Sequence, residues 1–486
     1  MAPQEIRGYY FDAEKRRFFK VEHSQTAPSN AAWSSDKVKK RKIEDEAAAA
    51  QLRRVSLNKS RITRSKALNA PLMGGFLARE YGQHIRDLRD IRPASFAQGF
   101  ARKGKRLLSH ILPAAINIKH MTVVSKHPEQ TFCTAYTSCD SNLILTAPIP
   151  RDDKTGHVDQ RLIFESSCNT RLGCLCPRPE YNVTLISDIK YSQKAGLVLV
   201  ASEDSGTPGR PLSTIAPKRL RHGAMHTTQD SFQEYRDADR RKYTSSTVCA
   251  APSTSSLICL VGTNIGVAQF DQNCQMRLYS PLSWRRKPYV PDSFRDVFSI
   301  DFHTNNPNIM FFGGRPGKLV IGDIRQEVGR WDNMHLNNSI AHVKSVSEHQ
   351  VLVAGLRNKL SIFDLRYCDL SQVRDRDNPK IERRATPVVT MPDYKNAAHF
   401  DVGLDYDPDS GVVAAAHDDG KVALYSVRSG CRLPSRDIDK IYSEFGPIHR
   451  LQFETFDGDN TASLFTGEKS NVCVYSFGVE HPDDEA

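Results

Sequence analysis

The chain has 486 residues and a net charge of +11, with 39% hydrophobic and 25% charged residues. That balance supports a sizeable core and excludes a chain disordered throughout. No run of 18 apolar residues occurs, so no membrane span is expected, and Met1-Ala2-Pro3-Gln4-Glu5 lacks the apolar stretch of a secretory signal. An intracellular protein is therefore expected. Consistent with that, the eleven cysteines form no secreted framework. Cys133, Cys249, Cys259 and Cys473 sit in apolar strand patterns and read as small buried hydrophobes. Cys168, Cys174 and Cys176 lack the paired ends of a zinc site, so no metal is expected.

The charge is unevenly placed. Residues 1–110 carry 24 Lys and Arg against 11 Asp and Glu, and the remaining residues carry 43 against 45. A basic arm suits nucleic acid, which it would hold weakly, an acidic protein or an import receptor, and a solvated tail has the same composition. Within it, residues 6–21 place two aromatic clusters around an acidic-basic turn. Gly8, Tyr9, Tyr10, Phe11, Phe18 and Phe19 suit a short hairpin or a docking peptide, because so many aromatics are costly to leave exposed. Residues 22–75 read as mostly disordered. They contain Lys37-Val38-Lys39-Lys40-Arg41-Lys42, where Lys39, Lys40, Arg41 and Lys42 fit the acidic groove of an import receptor. Residues 43–55 are compatible with a transient helix, acidic at its start and basic at its end.

Over 76–92, Leu77, Tyr81, Ile85 and Leu88 recur at three-to-four spacing, with charges on the other faces. This predicts an amphipathic helix that packs under a following domain or lies in a partner's groove. From about residue 112 to 480 the texture becomes short β-rich runs with turn residues. Seven units are read, at 115–148, 159–203, 246–272, 296–328, 339–370, 399–429 and 446–478.

Five of these units share an inner offset of eight residues: Gly262 to Phe270, Gly314 to Gly322, Gly355 to Phe363, His417 to Tyr425 and Gly467 to Tyr475. The strand ends themselves are unequally spaced. A constant strand core with variable loops is the pattern of propeller blades. The expected fold is all-β: a seven-bladed WD-repeat-like β-propeller with a basic, largely disordered arm (1–75) and one amphipathic helix. The polar stretch at 203–246 reads as a disordered insertion, and Arg374 to Arg384 as a charged loop.

Two strings stand out, Ile321-Gly322-Asp323-Ile324-Arg325 and Ile362-Phe363-Asp364-Leu365-Arg366, 41 residues apart and within one blade period. In each, the Asp can pin the following turn and the Arg sits at the rim within reach of a partner. The chain thus reads as a docking module. No phosphate-cradling glycine loop, H-E-x-x-H or G-x-S-x-G occurs, so neither an enzyme nor a cofactor is expected. Asp405, Asp407 and Asp409 alternate as in a calcium loop but lack its twelfth-position Glu, and a blade turn is the better reading.

The Gly8-Tyr9-Tyr10-Phe11-Asp12 opening, the Phe18-Phe19 pair, the basic linker and the Asp-x-Arg boxes together resemble the WD-repeat substrate receptors of cullin-4 RING ubiquitin ligases. In the WD repeat domain 21 type of these cullin-4-associated factors the N-terminus carries a similar Gly-Phe-Tyr-Tyr-Asp motif. The resemblance implies that Asp323, Arg325, Asp364 and Arg366 engage the ligase adaptor, the damaged-DNA-binding triple-propeller protein. It also implies that Leu77, Tyr81, Ile85 and Leu88 insert into that adaptor's cleft. The first box departs from the pattern, with Gly322 where an aromatic is usual, and so predicts weaker packing there. The next unit has Tyr425-Ser426-Val427-Arg428, with Ser in place of Asp.

The leading expectation is a non-catalytic substrate receptor that presents an unidentified protein target for ubiquitination, nuclear with or without a cytoplasmic pool. The alternative is a nuclear WD-repeat scaffold or nucleic-acid-associated protein with no ligase link.

Overall fold

A computed structural model describes residues 8–47, 90–107, 118–125, 133–149, 178–202, 212–216, 231–235, 244–279 and 295–477, with gaps of a few residues inside these spans. The chain divides into two compact units, 1–74 and 75–486.

The first unit contains an antiparallel hairpin, β1 (Tyr9–Asp12) and β2 (Arg17–Lys20). Its register sets Tyr9 opposite Lys20 and Phe11 opposite Phe18. Strand alternation therefore puts Tyr9, Phe11 and Phe18 on one face and Tyr10 and Phe19 on the other. A helix over 35–44, α1, follows. Phe19 stacks on Trp33 with ring centroids 4.5 Å apart, and the Lys15 ammonium lies over both rings. Arg41 sits over the Tyr10 ring, 5.3 Å from its centroid, and hydrogen-bonds its hydroxyl. Part of the arm expected to be mostly disordered is thus structured, and residues 48–75 of it lie outside the described residues. Lys39, Lys40, Arg41 and Lys42 lie on a helix tied to the aromatic hairpin, because cation–π and stacking contacts supply what the polar sequence lacks.

The second unit opens with α2 (Ile91–Gly99) and β3 (Phe100–Leu107). Antiparallel meanders follow. The first is β4 (His120–Val124), β5 (Cys133–Ser138), β6 (Leu143–Ile149) and β7 (Arg178–Asn182). The second is β8 (Ile186–Ser192), β9 (Leu197–Ser202), β10 (Leu212–Ala216) and β11 (Ser231–Tyr235). The third is β12 (Ser245–Ala250), β13 (Leu257–Thr263), β14 (Gly266–Asp271) and β15 (Met276–Tyr279).

Next come β16 (Arg295–His303), β17 (Asn306–Arg315), β18 (Lys318–Asp323) and β19 (Asp332–His335). Then follow β20 (Ile340–Ser345), β21 (Gln350–Gly355), β22 (Lys359–Arg374) and β23 (Pro379–Thr390). After them lie β24 (Leu404–Asp407), β25 (Val412–Ala416), β26 (Val422–Ser426) and β27 (Arg432–Leu433). The last run is β28 (Leu451–Glu454), β29 (Ser463–Glu468) and β30 (Asn471–Phe477). It gains its fourth strand from β3, which pairs with β30.

The first strands of these meanders contact one another in sequence, and β28 returns to β4. The unit is thus a closed β-propeller, whose radial repetition leaves only the short outer edge of each sheet unpaired. Its inner strands are stapled by side chains. Asp188 of β8 accepts from Val248 N at 3.2 Å and Thr247 Oγ1 at 3.0 Å. Asp301 accepts from Ser345 N at 2.7 Å, and Asp405 from Phe453 N at 2.7 Å. Gln452 exchanges two hydrogen bonds with the Val123 backbone, which closes the ring. Ion pairs reinforce these staples: Arg450 to Asp188 at 3.2 Å and Lys344 to Asp405 at 3.0 Å. Asp405 is therefore an inner-strand staple. Asp407, with Ser410 N on its Oδ2 at 3.1 Å, forms the expected turn.

Several sequence expectations are corrected. Among the described residues the propeller has six hydrogen-bonded sheets where seven separate blades were expected. The strands β16–β23 form one eight-stranded sheet, joined at a single parallel pair, His335 with Arg384. The propeller includes β3 and so begins before residue 112. The stretch 203–246, expected to be disordered, contributes β10 and β11. The charged loop Arg374 to Arg384 is part of a long hairpin, in which β22 pairs with β23 from Cys368 opposite Ala385 out to Arg374 opposite Pro379. Polar outer strands show no apolar alternation, which is why they read as loops. A described helix starts at Ile91, where the expected one nearly ends, and residues 76–89 lie outside the described residues.

Candidate docking rim

The two boxes end β18 and start the exit from the blade in β22. Register places them similarly: Asp323 pairs with Ile309, the fourth residue of β17, and Asp364 with Gln350, the first of β21. In both boxes the residue after the Asp donates its N–H to the chain just before that strand position, Ile324 to Asn308 O at 2.9 Å and Leu365 to His349 O at 2.8 Å.

The side chains repeat the same geometry. Asp323 Oδ1 accepts from Arg325 N at 2.9 Å and Nε at 3.0 Å, and its Oδ2 accepts from Arg325 Nη2 at 2.7 Å. Asp364 receives the same three donors of Arg366 at 3.0, 3.0 and 2.7 Å. The aspartates are recessed, Asp364 to 3% side-chain exposure, while Arg325 and Arg366 remain 62% and 58% exposed. Hydrogen bonds from each arginine hold the Asp323 and Asp364 carboxyls below their ordinary range, against the opposing effect of burial. Each guanidinium is therefore fixed in direction by a bidentate carboxylate, with its outer N–H groups still pointing to solvent.

The backbone beneath the first box is tied down as well. Trp331 Nε1 donates to Asp323 O at 3.0 Å, and the Tyr279 hydroxyl donates to Ile324 O at 2.7 Å. The expected weak packing at Gly322 is corrected by Trp331. A Cβ on Gly322 would lie 3.2 Å from the Trp331 ring and 2.9 Å from Met310 Cε. The indole fills the space of the missing box aromatic and packs with Tyr279 and Phe312. Nothing near position 322 reveals this, since the indole arrives nine residues later. At the second box, Arg366 lies over the exposed ring of Tyr367.

The other expected site residues fall elsewhere. Gly8, Tyr9, Tyr10, Phe11, Phe18 and Phe19 form the β1–β2 hairpin, with Tyr9 and Phe18 exposed. Leu77, Tyr81, Ile85 and Leu88 lie outside the described residues, as do Cys168, Cys174 and Cys176. Cys259 and Cys473 are buried as expected and Cys249 is half-buried. Burial pushes the Cys249 and Cys473 thiols up to about 12. Among the described residues, no cluster of three His, Cys, Asp or Glu is arranged to hold a metal ion, and no helix is long and apolar enough to cross a membrane.

No protein-family profile matches the chain, and no curated protein matches it. Among solved structures it is similar to one described as the crystal structure of the WD40 beta propeller domain of Doa1. That similarity covers 78% of this chain and 97% of that one, at 8% sequence identity and a TM-score of 0.48.

Proposed function

We propose that this chain is a non-catalytic substrate receptor that docks on the cullin-4 ligase adaptor through the rim carrying Arg325 and Arg366. The observation that carries the reading is the duplicated box: two exposed guanidinia, each locked by a recessed aspartate, at equivalent places in adjoining meanders. Preorganised arginines lose little conformational freedom on binding, which suits a permanent protein contact better than free surface arginines would. The resemblance of the boxes and of the aromatic opening to cullin-4-associated receptors supplies the partner. Leu77, Tyr81, Ile85 and Leu88 are proposed as further adaptor contacts, and an unidentified protein target would bind elsewhere on the propeller. The chain would act by raising the local concentration of that target near the charged ubiquitin carrier.

Within this reading the eight-stranded sheet counts as two blades, making seven. Each half is a complete four-stranded meander with its own inner strand and its own box.

The test is co-purification of the adaptor with the full chain. Arg325→Ala combined with Arg366→Ala should abolish it while the melting curve stays that of a folded propeller. Undiminished capture by the folded double variant refutes the docking rim.

A further inference from the structure

We propose that the docking rim spans a third position, and that Arg428 is its uncommitted cation, set to pair with a carboxylate on the partner. This rests on the adaptor-docking reading above and extends it to a residue outside both boxes.

The third position has the same backbone geometry. Ser426 pairs with Val412 in the register that pairs Asp364 with Gln350. Val427 N donates to Gly411 O at 3.1 Å, as Ile324 and Leu365 do in the two boxes. Ser426 Oγ accepts from Arg428 N at 3.2 Å, the role that Asp323 Oδ1 and Asp364 Oδ1 play toward their arginines. The one change is chemical. A hydroxyl can pin the turn but cannot neutralise a guanidinium.

A carboxylate does reach this place, from Asp90 at the start of α2, and Ser426 Oγ donates to its Oδ1. The serine thus relays between the helix start and the turn. Arg428 itself is exposed, and among the described residues its guanidinium makes no ion pair or hydrogen bond. Arg325 and Arg366 already spend two N–H groups on their own aspartates, whereas Arg428 has all of its donors free for a partner.

The position is also selective around the ring. Of the five meanders with the eight-residue offset, the residue two places after the box aspartate or serine is Asn273, Arg325, Arg366, Arg428 and Gly478 in turn. Arginine occupies three consecutive meanders and neither flank. Three guanidinia in one arc call for an acidic surface on the partner, and Arg428, whose guanidinium has no ion pair of its own among the described residues, gains most from it.

The experiment measures binding of the full chain to purified adaptor at two salt concentrations. The variants are Arg428→Glu, Arg428→Lys, the Arg325→Ala/Arg366→Ala pair and, as a charge-matched control, Lys421→Glu just before the opposite end of β26. Arg428→Glu should weaken binding at least about tenfold and flatten its salt dependence. Arg428→Lys should be intermediate, and Lys421→Glu should bind as wild type. If wild type binds, the double variant fails and Arg428→Glu binds normally, the third position is overturned and the two-box rim stands. If wild type does not bind the adaptor at all, the receptor reading falls and the third position falls with it.

Discussion

The Asp90 carboxylate accepts a hydrogen bond from the Ser426 hydroxyl across 336 residues of chain, at the place where the two preceding meanders carry an aspartate of their own, Asp323 and Asp364. It ties the start of α2 to the propeller, and Phe96, Ala97 and Phe100 then bury against Leu433, Leu451, Phe453 and Tyr475. Either Asp90→Ala or Ser426→Ala should cost about 1.5–3 kcal/mol, the usual worth of a hydrogen bond to a charged group. Hydrogen exchange should quicken at the start of α2. Ser426→Asp alone should be worse, because it sets two carboxylates together, and adding Asp90→Ser should recover most of the loss. A double variant as unstable as the sum of its parts would show that the two residues are not coupled.

Gly322 and Trp331 share one volume. Gly322→Trp should destabilise the propeller by about 1–3 kcal/mol through overpacking against Met310 and the indole. Trp331→Ala should cost about 3–5 kcal/mol, the range for emptying a buried indole site. Combining them should be milder than the sum, since the new ring enters the vacated space. Urea melts of the three variants check this, and strict additivity would refute the exchange.

Asp364 lies deeper than Asp323 and holds the same set of arginine donors. Asp364→Asn should therefore lower the melting temperature more than Asp323→Asn. Both should loosen their arginine, visible as increased side-chain mobility of Arg366 or Arg325 by guanidinium NMR. Equal melting shifts for the two variants would mean that the recessed position adds nothing.

Stability should fall in mild acid. Burial, helped by Arg450, lowers His120 to about 3 and His342 to about 4, from 6.5. Arg450 Nη2 donates to His120 Nδ1 at 2.9 Å, which opposes a proton on that nitrogen, whereas His342 Nε2 donates to Val402 O and is held neutral by burial and the nearby Arg450, Lys344 and Lys190 against the pull of that bond. Both groups are depressed in the folded state, so the unfolded chain binds the proton first. Their contribution is complete above pH 6.5 and is lost as pH falls toward 4, at about 1.4 kcal/mol per pH unit for each ring. Denaturant melts at pH 7, 6 and 5 should show this decline, and His342→Gln should roughly halve it. A flat profile across that window would contradict neutral burial of the two histidines.

The basic cluster on α1 remains a proposed import signal. Replacing Lys39, Lys40, Arg41 and Lys42 by Ala should move a fluorescent fusion out of the nucleus, and a retained nuclear signal would exclude it as the sole route. Because Arg41 is held by Tyr10, Tyr10→Ala should free the helix without removing charge. Import should then be kept or improved.

What the sequence determined by itself was local. The eight-residue offsets, such as Gly355 to Phe363 and His417 to Tyr425, span the tight turn between the second and third strands of a meander. Both ends of that signal lie within one hairpin, so its spacing survives in the chain. The Asp-x-Arg boxes were legible for the same reason, since each aspartate binds an arginine two residues away. The tertiary structure alone decided the rest. It brought β3 to close the last meander, Trp331 into the gap at Gly322, Asp90 to Ser426, and the inner-strand aspartates to the next blade. These partners lie from about ten to several hundred residues apart, joined by loops of unequal length. Such contacts leave no period in the sequence, and only ring closure, which sets first strands side by side, makes them neighbours.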